Sequence, residues 1–381
     1  MTPMRWAEVD VAALHANAAA IRRHVAPHVQ VMAMIKANGY GHGALLAARA
    51  AVGGGASWLG VSSPEEALQL RGEGINVPIL TVGWTHPDHH RGLIDAGIQM
   101  TVYDARAVEE IAASALRGSR PARVHVKIDS GMGRLGARPE HVPELVDALQ
   151  RSRPAVEVAG VFTHFADAEG SDLGFTEQQH ERFLELAGRV KEIAPEALLH
   201  CANSAATLRL PDTHHDLVRP GLALYGYAPA ALAGIVPLRR VMTVAAHVTH
   251  VKMVRRGDTV GYGRTWTASG DTRVATVSAG YADGVQRAQS NRGRVVIAGR
   301  RCPIIGRVSM DQLTADVSAV GDVRPGDEVL LFGARDGALG ADEVAAAAGT
   351  VPYEVLCTVS ARVPRIPVGA PSASAGATVA L

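Results

Sequence analysis

A lysine amine held at the edge of an apolar environment is chemically useful, because desolvation lowers its pKa and leaves a nucleophile able to form a Schiff base. Lys36 is placed for this: it follows the apolar run VMAMI (31–35) and precedes ANGYGHG (37–43). Gly39, Gly41 and Gly43 supply the φ freedom for a tight turn and for close backbone approach to a ligand, with Tyr40 and His42 standing among them. Taken alone, a strand-end lysine reads better as a side chain snorkelling to water. Further along, Lys127 and Asp129 precede the glycine-rich GMGRLG that contains Arg134, His164 stands in VFTHF, Asn203 and Ser204 in HCANSAA, and Arg219, Gly221 and Leu222 in RPGLALYG. Each has an ordinary reading too. Lys127 with Asp129 suits an ion pair, Ser204 a helix cap, and Arg219 a surface ion-pair partner.

The elements that must position these residues follow from hydropathy. Apolar strand candidates at 31–35, 58–61, 77–82, 98–103, 123–128, 158–162, 198–201 and 216–218 alternate with helix-like segments, clearest at 65–71, 105–117, 142–151 and 176–193. Eight β/α units predict a (β/α)8 TIM-type barrel, preceded by a short strand at 6–11 and a helical run at 12–25. Barrel enzymes carry their chemistry at the carboxyl ends of the strands. Lys36, Lys127, Asp129, His164, Asn203, Ser204, Arg219 and Gly221 all fall there.

After residue 237 short alternating stretches take over, at 243–251, 273–277, 294–297, 316–317, 328–332 and 358–361, divided by turn signals such as RRGD, ADG and RPGD. This predicts a mostly antiparallel β domain with one helix at 341–348. The domains are expected at 1–236 (barrel) and 237–370 (β domain). A Gly, Ala, Pro, Ser and Thr tail at 371–381 is expected to be disordered.

The bulk properties exclude several classes. The 381 residues are 47% hydrophobic and 20% charged with a net charge of +1, which describes a globular protein without a basic surface for nucleic acid. The N-terminus has no apolar signal core and no stretch has the length of a membrane span. Cys201, Cys302 and Cys357 offer neither a disulfide framework nor zinc-ligand spacing. A cytoplasmic protein without metal is expected.

The strings KANGYGHG, MGRLG, RPGLALYG, GYGRTW (261–266) and SMDQ (309–312), in this order, resemble those of alanine racemases along nearly the whole chain. The resemblance implies pyridoxal 5'-phosphate bound as an aldimine to Lys36. It implies a phosphate group held by Tyr40, Ser204, Gly221, Leu222 and Tyr353, with Asn203 beside them. Arg219 would face the pyridine nitrogen, where a cation that cannot hand over its proton weakens the electron sink and disfavours transamination. Lys36 and Tyr262 would be the two bases that exchange protons on opposite faces of Cα. By the same resemblance Tyr262 comes from the partner subunit of a homodimer and bonds His164, itself beside Arg219. Arg134 would contact the cofactor's phenolic oxygen and the substrate carboxylate, oriented by Lys127 as a carbamate, and Met310 would offer its N–H to that carboxylate from the partner subunit. Asp311 and Tyr281 would border the entry. Ser309 stands where many relatives have Cys, which leaves the backbone role of Met310 intact.

The expected activity is interconversion of L-alanine and D-alanine, supplying peptidoglycan synthesis. A racemase of serine or of broader specificity is the alternative within the fold. An amino-acid decarboxylase of related fold would present an acidic group to the ring nitrogen, against Arg219, and a cofactor carrier protein would lack the β domain.

Overall fold

The computed structural model describes residues 3–369. They form two compact units, one of His15–Gly39 and Ala47–Leu238, the other of residues up to Leu14, Tyr40–Leu46 and those from Arg239 onward. The tail expected to be disordered, 371–381, lies outside the described residues.

In chain order, β1 (Arg5–Asp10) belongs to the second unit. The first unit is built on eight parallel strands: β2 (Gln30–Met34), β3 (Trp58–Val61), β4 (Ile79–Thr81), β5 (Gln99–Val102), β6 (Ala122–Lys127), β7 (Val156–Phe162), β8 (Leu198–His200) and β9 (Leu217–Val218). From β2 to β8 each pairs with the next, and β9 pairs with β2, leaving β8 and β9 unpaired. β3, β4 and β5 bury every residue, as parallel strands covered on both faces must. Proline and caps start the helices between them. Ser63 caps Pro64–Gly72 through Glu66 N–H, and Asp104 caps Ala105–Leu116 through Ala107 N–H at 2.8 Å.

The seam between β8 and β9 has no regular ladder. Asp216 N–H donates to Leu199 O (3.1 Å), Leu199 N–H donates to the Asp216 carboxylate (2.8 Å), and Arg219 N–H donates to Ala202 O (2.9 Å). A side chain thus supplies an acceptor that a longer strand would have provided.

The second unit centres on β10 (Met242–Val254), which pairs antiparallel with β1. Next come the hairpin β11 (Thr259–Val260) and β12 (Trp266–Thr267), then β13 (Thr272–Val277), β14 (Arg294–Ile297), β15 (Arg300–Pro303), β16 (Leu313–Asp316), β17 (Glu328–Phe332) and β18 (Arg365–Val368). Pairing is antiparallel except where β18 lies parallel to β1. Three local expectations are corrected. Residues 358–361 form a turn, because the preceding PYEVLC is a second helix, Pro352–Cys357, and the strand begins only at Arg365. Among the described residues from Arg239 onward there are therefore two α-helices, Ala341–Ala348 and Pro352–Cys357, where one was expected. The strand placed at 316–317 runs Leu313–Asp316, alternating buried and half-buried residues against β13.

Candidate active site

The turn after β2 is left-handed. Ala37 (φ 53°), Asn38 (54°), Gly39 (63°) and Tyr40 (50°) all have positive φ, so the unusual backbone falls on alanine and tyrosine as well as on glycine. Glu66 supports it: one carboxylate oxygen accepts Ala37 N–H at 2.6 Å and the other Ser62 N–H at 2.7 Å, joining the loops after β2 and β3. Lys36 opens this turn, half-buried, directly after the fully buried Ile35.

Arg219 is the most enclosed charge of the barrel unit. Its Nη1 donates to His200 Nδ1 (2.9 Å) and His200 O (2.7 Å); its Nη2 donates to Thr163 O (2.6 Å) and Cys201 O (3.3 Å), with His164 Nδ1 at 3.4 Å. Among the described residues no carboxylate meets it and no acceptor meets Nε–H. Burial brings its pKa down to about 10. A guanidinium held only by neutral acceptors is costly to bury, and the Phe162 ring, 5.2 Å from Cζ, offsets part of that cost.

Because arginine can only donate, its contacts assign the protons on the histidines behind it. His200 accepts at Nδ1 and so donates from Nε2 to His125 Nδ1 (2.8 Å), and His125 donates from Nε2 to Gln99 Oε1 (2.9 Å). Burial, with Arg219 adding to it, holds His200 well below its ordinary pKa; burial brings His125 to about 3. The chain Gln99, His125, His200 and Arg219 escaped the sequence reading. The available signal was the two-residue period of β6, which places His125 on the face of Lys127.

Lys127 ends β6 almost fully buried. Desolvation, then the charges of Arg219, Arg134 and Lys36, bring its pKa down to about 8. The alternative of a Lys127–Asp129 ion pair is not realised. Asp129 instead accepts Gly131 N–H (3.1 Å) and Gly133 N–H (3.0 Å), folding GMGRLG into a loop with Arg134 exposed on it. His164 is neutral, depressed by burial and by Arg219, Arg134, Lys127 and Lys36 in turn. Three cations and a neutral imidazole therefore share one rim of the barrel with Arg219.

At the last two strand ends, Asn203 caps the helix Ser204–Arg209 by accepting Ala206 N–H (3.1 Å). Gly221 N–H donates to Ser204 Oγ (2.8 Å), as does Ala223 N–H (3.3 Å), so both amides converge on the hydroxyl and leave its O–H to donate outward. Leu222 opens the following short helix, Leu222–Tyr225, where first-turn amides have no intrahelical acceptor.

In the second unit, Tyr40 and Tyr353 lie with ring centroids 6.0 Å apart. Burial raises the Tyr40 pKa, which keeps its phenol a donor. The Tyr281 loop and SMDQ are joined by Tyr281 N–H to Ser309 O and Ala282 N–H to Met310 O, both 3.0 Å, and Asp311 pairs with Arg362 at 2.7 Å. Tyr262 sits on the β11–β12 hairpin between Gly261 (φ 76°) and Gly263 (φ 70°). Val260 and Trp266 anchor that hairpin to a core of Val254, Ala268, Val274 and Ile305. Its ring is 73% exposed, and Met310 is 53% exposed.

This donor set fits a phosphorylated pyridine aldehyde: an amine at a strand exit, a hydroxyl and the helix-opening Leu222 amide for an anion, and a buried guanidinium with one N–H left for a ring acceptor. Residues 9–229 match the alanine racemase N-terminal domain and residues 241–367 the alanine racemase C-terminal domain. The chain belongs to the alanine racemase family. Its similarity to an alanine racemase of Desulforamulus reducens is 40% identity, covering 96% of this chain and 99% of that one. An alanine racemase of Symbiobacterium thermophilum is 42% identical over 94% of this chain and 96% of its own. Among solved structures, the alanine racemase of D-cycloserine-producing Streptomyces lavendulae superposes with a TM-score of 0.92 at 38% identity, over 97% of this chain and 98% of that one. That of Streptomyces coelicolor gives 0.90 at 40% identity, over 96% and 98%. The family's two-part architecture, a parallel eight-stranded barrel with a mostly antiparallel β unit, is the one described above.

Proposed function

We propose that this member of the alanine racemase family interconverts L-alanine and D-alanine with pyridoxal 5'-phosphate held by Lys36, Tyr40, Ser204, Leu222, Arg219 and Tyr353. The observation that carries the reading is Arg219, buried among neutral acceptors with Nε–H left over. When bound, the cofactor supplies an electron sink that acidifies the substrate Cα–H. Arg219 offers the ring nitrogen a hydrogen bond and no proton, which keeps that sink weak. Its own charge is stabilised by the acceptor Nδ1 of His200, which His125 and Gln99 hold with its proton on Nε2.

Lys36 Nζ exchanges the proton on one face of Cα. The partner subunit's Tyr262 exchanges it on the other, so the working unit is a homodimer. Strong exposure of Tyr262 and Met310 in one chain supports this reading. His164, accepting from Arg219 at Nδ1, carries its proton on Nε2 and can donate it to a phenolate, lowering the tyrosine's pKa. Arg134 holds the substrate carboxylate with the amide of the partner subunit's Met310. A neutral Lys127 amine can add to carbon dioxide, forming a C–N bond and releasing one proton, and the resulting carbamate would attract Arg134. Asp311 and Tyr281 border the entry. D-alanine formed in the cytoplasm would feed peptidoglycan synthesis, and among the described residues no helix is long and apolar enough to cross a membrane.

The test is to incubate the purified protein with L-alanine, and separately with L-serine, and follow the D-enantiomer. Borohydride should fix the cofactor to the peptide bearing Lys36. Lys36→Ala should lose both the fixation and the turnover; retention of either would remove Lys36 from its role. Faster turnover of serine than of alanine would favour the alternative specificity.

A further inference from the structure

The side chains of His180, Cys201 and His215 take no part in the contacts described so far and meet beside the β8 exit. Their ligand atoms all fall within 4.8 Å of one another, with Cys201 buried and both imidazoles half-buried. His180 Nε2 and His215 Nε2 face each other at 2.8 Å, and the Cys201 thiol donates to Thr213 O at 3.1 Å. Three elements meet here: the helix Gly174–Ile193, the residue after β8 and the loop before β9. His215 takes a left-handed backbone (φ 46°), uncommon for a residue other than glycine. We propose that His180, Cys201 and His215 form a zinc site, with water as fourth ligand, that clips the seam between β8 and β9. Two imidazoles and a thiolate are a ligand set for Zn2+. At ordinary bond lengths tetrahedral ligands stand about 3.3–3.6 Å apart, so the histidine nitrogens must part by about half an ångström and the sulfur must stand about 3.6 Å from each. Both imidazoles are already neutral through burial. On metal binding the shared Nε2 proton moves to that ring's Nδ1, and the Cys201 thiol proton leaves to solvent. The clip falls where the barrel has side-chain and single-bond closure in place of a ladder, which is where a crosslink adds most.

The holoprotein, freed of adventitious metal with a chelator and dialysed, is titrated with Zn2+ by calorimetry in two buffers of different protonation enthalpy, and with Co2+ by absorption. The expected result is a single site releasing about one proton per metal, a cobalt–thiolate charge-transfer band, and a thermal midpoint that rises with zinc. His215→Asn keeps a residue tolerant of the left-handed backbone, and Cys201→Ser keeps the hydrogen bond to Thr213 O. Each should weaken binding by more than about tenfold, and Cys201→Ser should lose the cobalt band; His180→Gln serves if either fails to fold. Equal binding by wild type and the folded variants, or a cobalt complex without the thiolate band, would overturn the site.

Discussion

Lys127 shows how far one residue's surroundings can change what it does. Burial and three neighbouring cations bring its amine down to about 8 from 10.5. Below pH 8 the amine is protonated both folded and unfolded, and the folded state bears the desolvation cost. Between 8 and 10.5 only the unfolded chain holds the proton, so stability gains as pH rises through that window. The shift corresponds to about 3 kcal/mol. In buffer free of carbon dioxide, Lys127→Met should therefore be more stable than wild type near neutrality, with the advantage fading as pH approaches 10.5, as read from denaturant midpoints across that range. With carbon dioxide present its racemase activity should fall, because the carbamate proposed to orient Arg134 cannot form on methionine. Reduced stability at neutral pH would contradict the desolvation argument.

At the element scale the loop 37–43 decides whether Lys36 and Tyr40 can be presented together. Its left-handed run tolerates alanine, asparagine and tyrosine at positions 37, 38 and 40, but Gly41 is a harder constraint. A Cβ there would overlap the carbonyl oxygen of Leu356, backbone that belongs to the helix carrying Tyr353, and φ is +82°. Gly41→Ala should cost roughly 2–3 kcal/mol, seen as a lower denaturant midpoint, and should weaken cofactor retention through displacement of Tyr40 and Tyr353. Gly43, with only the flexible Leu46 side chain near its Cβ, should be less sensitive to the same change.

For the whole molecule, the proposed division of the two bases between subunits makes activity a property of association. Lys36→Ala and Tyr262→Phe chains, each inactive as a homodimer, should recover part of the activity when mixed, because one hybrid site then has both bases intact. Specific activity should also decline on dilution in step with dissociation measured by sedimentation. Absence of rescue, with hybrid dimers shown to form, would remove Tyr262 from the partner's site.

The eight parallel strands, the β unit and the rim on which Lys36, Lys127, His164, Ser204 and Arg219 fall were legible in the residues alone. Apolar periodicity and strand-end polarity are local properties, legible without contacts. The sequence also carried the family through long ordered strings. What it could not carry were relations between residues far apart in the chain: Arg219 to His200, His125 and Gln99, Glu66 across two loops, or His180 with Cys201 and His215. Nor did it show that Asp129 would fold its own loop in preference to pairing with Lys127. Hydrogen bonds of this kind depend on which strand lies beside which and on how much water the packing excludes, and both are decided only when the chain closes on itself.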